Sequence, residues 1–366
     1  MSLEAELQTY RRQIATDAYP MSIGELSNLY RDGEIDIHPE FQRIFRWTEL
    51  QKTRLIESIL LGIPLPSIFV AQNEKGIWDV VDGVQRLSTI FEFMGLLKGE
   101  DGELKEPFVC GEAPFLKAIK GMTYESQEGS TLSLDSAQRL DFKRARIDVK
   151  IIKRESDRRT KYDLFQRLNS FGSVATEQEL RNCLLVSLSK THFEWLIELS
   201  DYATFKEVVE LPERLIKEKY QMELALRFVM LRNIDEQKLP QIGNIGEYLT
   251  ASVMNFTDLD SAGREHERKI FHDTFDRLNA AGGPAILRRW DVLAKKPVGP
   301  FSLTAFECLA LGIGYHDAAE RITPGAIEMK RDELWGSPDF QAGFSTGRRA
   351  DERMRKTIPF GRRLFA

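Results

Sequence analysis

Ile77-Trp78-Asp79-Val80-Val81-Asp82-Gly83-Val84-Gln85-Arg86-Leu87 decides how the chain is read. Ile77 to Val81 is a short apolar run rich in β-branched residues, as a buried strand requires. Gly83 is the turn. From Leu87 onward, Ile90, Phe91, Met94 and Leu97 recur at helical spacing. A strand therefore ends, a glycine turn follows and a helix begins. The first N–H groups of such a helix have no partner within it, and its dipole favours an anion there. Gly83 would let a phosphate approach the backbone, and Arg86, one turn in, could add a forked contact. The same letters allow a plainer reading, because Asp82-x-x-Gln85 is also a capping-box pattern.

Outward from this turn, the N-terminal side alternates short strands with helices. Ser22 to Tyr30 presents Ile23, Leu26 and Leu29 on one helical face, and Ile35 and Ile37 alternate as a strand would before Pro39. Thr48 to Leu61 is a helix opened by the capping box Thr48-x-x-Gln51, with Leu55, Ile56, Ile59 and Leu60 as its apolar stripe. Gly62 ends it, and Pro64 and Pro66 prevent continuation. Ser67 to Gln72 forms a strand that turns at Asn73 to Gly76 into the opening stretch. Lys98 to Glu112, rich in Gly, Pro and charge, reads as a surface excursion, and Ile147 to Ile152 as a further strand.

Beyond Thr160 the pattern is almost all helical. Tyr162 to Leu168, Glu177 to Leu188, Phe193 to Leu199, Gln221 to Leu231 and Arg264 to Leu278 all carry it. Leu3 to Ile14 reads as a short polar helix or arm. Strands before about residue 155 and helices after it predict an α+β N-terminal domain and a mostly helical C-terminal one. A length of 366 residues agrees with two domains.

The bulk numbers exclude several classes. A net charge of −5 gives no global basic field for a nucleic-acid backbone. The three cysteines, Cys110, Cys183 and Cys308, are far apart and form no CxxC pair. This argues against a zinc ribbon or a disulfide scaffold and fits a reducing, cytoplasmic setting. Met1 to Tyr10 carries acids and lacks the apolar core of a signal peptide, and no apolar run is long enough for a membrane span. Of the five histidines, His266 and His272 are six apart, which is not His-Glu-x-x-His spacing, so a solvated helix face is expected there.

Two further clusters accompany the turn. His38-Pro39-Glu40-Phe41-Gln42-Arg43-Ile44-Phe45-Arg46-Trp47 interleaves aromatics with arginines, as a base-stacking and phosphate surface would. Core aromatics beside snorkelling arginines would give the same pattern. Leu164-Phe165-Gln166-Arg167-Leu168-Asn169-Ser170-Phe171-Gly172 ends a helix, and Thr176-x-x-Glu179 caps the next.

Taken in order, Pro39-x-Phe41-Gln42-Arg43-x-x-x-Trp47, Gly62-Ile63-Pro64-Leu65-Pro66, Val81-Asp82-Gly83-x-Gln85-Arg86-Leu87 and Phe165-x-Arg167-Leu168-Asn169-x-x-Gly172 resemble the DGQQR family. This is the ParB/sulfiredoxin-related domain of GmrSD-type and SspE-type restriction proteins. The resemblance covers roughly residues 20–185. It implies a ParB/sulfiredoxin-like domain with a small mixed sheet over residues 1–185 and a helical domain with a basic tail over 186–366. It also implies a prokaryotic anti-phage or restriction-like role and a nucleoside triphosphate site, with Mg²⁺ as the accompanying ion. Gln42, Arg43, Asp82, Gly83, Gln85, Arg86 and Asn169 would line that site. Asp82 and Arg86 would carry any hydrolysis, as metal ligand or water-orienting carboxylate and as stabiliser of phosphoryl charge.

Val84 stands where the family usually has glutamine, while Gly83 and Arg86 keep the broader Gly-x-x-Arg pattern. Binding is thus expected to survive better than turnover. No HNH-type cluster of His and Asn is legible, and no cysteine lies in the turn for sulfiredoxin-type chemistry. The tail from Phe344 through Arg348, Arg349, Arg353, Arg355 and Arg363 resembles stand-alone family members encoded beside a HEPN-type ribonuclease. Three roles follow: a nucleotide-binding sensor or NTPase subunit, a DNA- or modified-DNA-binding protein that uses the basic tail, and an antitoxin-like partner of such a ribonuclease.

Overall fold

The computed structural model describes residues 16–37, 47–73, 75–99, 101–126, 132–153, 177–340, 344 and 349–366. The expected helices at 3–14 and 162–168 lie outside these residues, as do residues 38–46, 169–172 and Thr176. The chain divides into two compact units, one up to Ser170 and one from Phe171.

The first unit is α+β, as the sequence predicts. Its strands are β1 (Thr16–Ser22), β2 (Ile35–Asp36), β3 (Ile68–Gln72), β4 (Trp78–Asp82) and β5 (Arg146–Ile152), in the order β1-β5-β3-β4-β2. The sheet is mixed: β1 pairs antiparallel with β5, β5 parallel with β3, β3 antiparallel with β4, and β4 parallel with β2. In β5 the buried residues Ile147, Val149 and Ile151 alternate with exposed Arg146, Asp148 and Lys150, the period-two pattern of a sheet with one covered face. β3 contributes Ile68 and Val70 and β4 contributes Val80, all buried.

The described residues of this unit include the helices α1 (Ile23–Arg31), α2 (Glu49–Leu60), α3 (Val84–Phe93) and α4 (Ser136–Arg144). At the start of α2 the capping box is formed in both directions between Thr48 and Gln51. Gly62, at φ +69°, turns the chain out of α2, and the N–H of Ile63 donates to the Ser58 carbonyl. The Pro64–Pro66 stretch then delivers the chain to β3. The excursion after α3 is exposed from residue 101 to 106, as expected, and packs from Phe108 onward. Phe108, Cys110, Ala113 and Ile119 are buried. Thr53 on α2 accepts from the N–H of Gly111 at 2.9 Å, and the buried carboxylate of Glu57 accepts from the N–H groups of Phe115 and Leu116 at 2.7 and 2.6 Å. Two helical side chains there supply hydrogen bonds that solvent would otherwise supply.

The second unit is mostly helical. Its longer helices include α5 (Glu177–Leu188), α6 (Lys190–Asp201), α7 (Tyr220–Leu231), α8 (Ile245–Phe256), α9 (Ser261–Ala280), α10 (Pro324–Gly336) and α11 (Ala350–Leu364). A two-stranded hairpin, β6 (Arg288–Asp291) and β7 (Lys296–Phe301), interrupts the helical pattern and was not legible in the sequence. The end of the basic tail is an ordered part of this unit. From Ala350 it is a helix that buries Met354, Ile358 and Leu364. Arg353 pairs with buried Glu307 at 2.6 Å, and Arg362 donates to the carbonyls of Arg232 and Ile234 at 2.9 and 2.6 Å. These arginines hold α11 down rather than facing solvent.

This helix crosses the segment before it at very short range. A Cβ on Gly361 would run into the Cys308 carbonyl and stand 2.8 Å from the Cys308 Cα, and a Cβ on Gly312 would meet the Gly361 carbonyl oxygen at 2.5 Å. Backbone lies on both sides, so no side chain can yield. Gly361→Ala is expected to cost about 2–3 kcal/mol, the upper part of the overpacking range. A urea denaturation midpoint equal to wild type would contradict this crossing.

Candidate functional site at the start of α3

β4 ends at Asp82 and α3 begins at Val84, with Gly83 between them at φ +97° and ψ 9°. This left-handed conformation costs glycine little and any L side chain more. Space enforces the same choice: a Cβ on Gly83 would lie 2.5 Å from Cγ2 of Ile68, the first residue of β3. Gly83 is the N-cap residue of α3, and no side chain caps this end. The capping-box alternative for Asp82 and Gln85 is therefore not what the chain adopts. The two helices whose caps are filled by Thr48 and Asp135 show what such a box looks like in this unit.

The side chains that could have capped α3 are used elsewhere. The Gln85 Oε1 accepts from the backbone N–H of Trp47 at 3.2 Å, tying the entry of α2 to the first turn of α3. The Asp82 carboxylate accepts from Nη2 of Arg86 at 2.8 Å. Arg86 itself is buried. Its Nη1 donates to the Ser67 carbonyl at 3.0 Å and to the Pro66 carbonyl as well. The guanidinium thus binds together the segment entering β3 and the turn leaving β4. Its forked face points at main-chain carbonyls, which gives Arg86 a positioning role beside the phosphate contact expected from its place in the motif.

Among the expected site residues, the structure brings Asp82, Gly83, Gln85 and Arg86 to one turn. Gln42, Arg43 and Asn169 lie outside the described residues. Sequence reasoning missed Pro66, Ser67 and Ile68, which shape the turn from the opposite strand. Two of these act through a carbonyl, which every residue possesses, so no residue-type signal could have marked them. Asp82 is about half exposed, with its side chain at 51%. It is the carboxylate of this turn that could meet a cation.

No group of three or more His, Cys, Asp or Glu side chains able to hold a metal occurs among the described residues. His266 is exposed, as a solvated helix face predicts, while His192 and His272 have packing roles. His192 bonds to the Ser189 hydroxyl at 2.7 Å and to the Leu259 carbonyl at 2.8 Å, and His272 stacks on Tyr202 with ring centroids 3.9 Å apart. A charged cleft of about 270 Å³ there is lined by Glu194, Trp195, Glu198, Arg264 and Arg268, but Arg268 is already paired with Glu198 and Glu265. Cys110 and Cys308 are buried free thiols. Burial pushes Cys110 up to about 12, and it raises Cys308 well above its ordinary value with help from the neighbouring Glu307 carboxylate. Neither is a thiolate near neutral pH.

Residues 23–186 match the family model described as GmrSD restriction endonuclease, N-terminal domain. Over these residues the chain is similar to the GmrSD N-terminal domain. The GmrSD-type domain contains the Asp82–Arg86 turn and relates the chain to restriction systems. No curated protein and no solved structure matches the chain. No helix among the described residues is long and apolar enough to cross a membrane.

Two stability measurements separate the roles within the turn. Arg86→Ala leaves two carbonyls without a donor and should cost about 2–4 kcal/mol. Asp82→Asn touches only a half-exposed ion pair and should cost less than about 1 kcal/mol. Equal losses in urea denaturation would contradict the assignment of Arg86 to the strand–turn junction. In a Cys183→Ser background, Cys110 and Cys308 should stay unreactive to a thiol-disulfide reagent at pH 8 until the protein unfolds; rapid native-state labelling would contradict their burial.

Proposed function

We propose that the GmrSD-type domain binds a nucleoside triphosphate through the first turn of α3, and that the chain is a nucleotide-sensing subunit of an anti-phage or restriction-like system. The observation that carries this reading is an α-helix N-terminus with glycine at its cap and no side-chain cap. The first main-chain donors of a helix have no acceptor within it, and together with the positive end of the helix dipole they create a preference for an oxyanion. Gly83 keeps the approach clear of a Cβ. Arg86 adds positive charge beneath the turn while holding it in shape through Pro66 and Ser67. Resemblance adds Gln42, Arg43 and Asn169 as further nucleotide contacts.

Mg²⁺ fits this arrangement in one way. Asp82 offers a single half-exposed carboxylate, with one oxygen engaged by Arg86. That is too little for a cage built by protein alone, but it suits an ion held mainly by phosphate oxygens and water with one carboxylate ligand. Such an ion would neutralise phosphate charge beside Asp82. Binding rather than turnover is the activity proposed. Among the described residues of the turn, the sole carboxylate is paired with Arg86, so none is free to act as a general base. Any cutting of nucleic acid then falls to a partner, for which the resemblance suggests a HEPN-type ribonuclease.

Thermal shift and calorimetric titration with ATP, GTP, CTP and UTP, each with and without Mg²⁺, test the reading. At least one triphosphate should raise the melting midpoint and bind with one-site stoichiometry. Asp82→Asn, which keeps the fold, should remove the Mg²⁺-dependent part of the affinity and leave or strengthen the Mg²⁺-free part by removing a repelling charge. Absence of any shift with all four triphosphates would refute the proposal.

A further inference from the structure

The β6–β7 hairpin, Arg288-Arg289-Trp290-Asp291-Val292-Leu293-Ala294-Lys295-Lys296-Pro297-Val298-Gly299-Pro300-Phe301, has a use that the nucleotide reading does not absorb. It carries four cations against one carboxylate, in a chain whose net charge is −5. At its tip Leu293 is 97% exposed, the most exposed large hydrophobic residue described. A single exposed leucine needs no explanation by itself. This one is presented on a held turn. The Asp291 carboxylate accepts from the N–H groups of Leu293 and Ala294 at 3.0 and 2.8 Å. Lys295 follows at φ +49°, a conformation that a lysine seldom adopts without cause.

The cations divide by position. At the base, Arg288 pairs with Glu210, and Arg289 lies over the Trp335 ring. Trp290 is in turn covered by Arg331, 3.6 Å from its ring centroid, which fixes the hairpin against α10. At the tip, Lys295 and Lys296 are exposed and have no ion pair among the described residues. The structure thus anchors one end of the ribbon and presents a leucine flanked by two unpaired ammonium groups at the other. Two arginines of α11 make the contrast: Arg353 and Arg362 are buried and structural, while Lys295 and Lys296 are exposed.

We propose that this hairpin is a contact for duplex DNA. Leu293 enters a base step from the minor groove, and Lys295 and Lys296 lie on the flanking phosphates. The chemistry of the tip fits that partner. An apolar wedge partly unstacks a base step, and cations beside it compensate the closely spaced phosphates. A two-stranded ribbon is narrow enough to follow a groove. The proposal is independent of whether a nucleotide binds at α3.

Fluorescence anisotropy of the full chain on a labelled duplex, titrated from about 50 to 200 mM salt, is the test. The second probe is a duplex carrying 2-aminopurine, whose emission rises on unstacking. Wild type should bind with a salt-dependent affinity and raise the 2-aminopurine signal. The double variant Lys295→Glu with Lys296→Glu should bind on the order of tenfold more weakly at low salt and lower the salt slope by about two. Leu293→Ala should keep the slope and lose the 2-aminopurine signal. All three substitutions are at exposed positions, so melting midpoints should match wild type. The proposal is overturned if the duplex is not bound at low salt, if the variants bind it as wild type does, or if Leu293→Ala abolishes binding to anionic phosphatidylserine vesicles while leaving duplex binding intact.

Discussion

The Arg86 guanidinium is the contact on which the candidate site depends. It donates to the carbonyls of Pro66 and Ser67 on one side and to Asp82 on the other. The first contact fixes where β3 begins; the second closes the turn that starts α3. A buried guanidinium without acceptors is costly, so the buried Arg86 depends on these carbonyls and on Asp82. Gly83 is squeezed between them, with Ile68 pressed against the place where its Cβ would be. The open helix end is a consequence of this junction. Asp82 and Gln85, the two residues able to cap α3, are held by Arg86 and Trp47 instead.

Much of the first unit could be read from the sequence because its elements obey local rules. Thr48 and Gln51 form the expected box, Gly62 ends α2, and the alternation of Ile147, Val149 and Ile151 marks β5. The turn at Gly83 was legible for the same reason. What Arg86 does there was not. A motif lists residue types, and the partners of Arg86 include two main-chain oxygens brought close by the order of strands in the sheet. Capping at Asp82 failed as an expectation because its carboxylate pairs with Arg86, which the carbonyls of Pro66 and Ser67 hold in place.

In the second unit, charge was the harder signal to read. The tail looked like a solvated basic segment because Arg353, Arg355 and Arg362 dominate its composition. The fate of Arg353 and Arg362 depends on Glu307 and on the carbonyls at Arg232 and Ile234, all distant in sequence, while Arg355 pairs with Asp351 one turn away. The hairpin at 288–301 was hidden for the opposite reason: Pro297, Gly299 and Pro300 depress every strand signal in β7, although an edge of a two-stranded ribbon tolerates them. Burial decides what a cluster of basic residues is for. By that criterion Arg353 and Arg362 serve packing, while the two lysines at the hairpin tip present charge to solvent.

The central claim is that a triphosphate is held by main-chain donors at the start of α3. Crystals grown with each nucleoside triphosphate and Mg²⁺ test it most directly. The account predicts phosphate oxygens within hydrogen-bond distance of the backbone N–H groups at the Gly83–Arg86 turn, with Arg86 still bonded to Pro66 and Ser67. A nucleotide bound elsewhere, with that helix end facing only water, would contradict it.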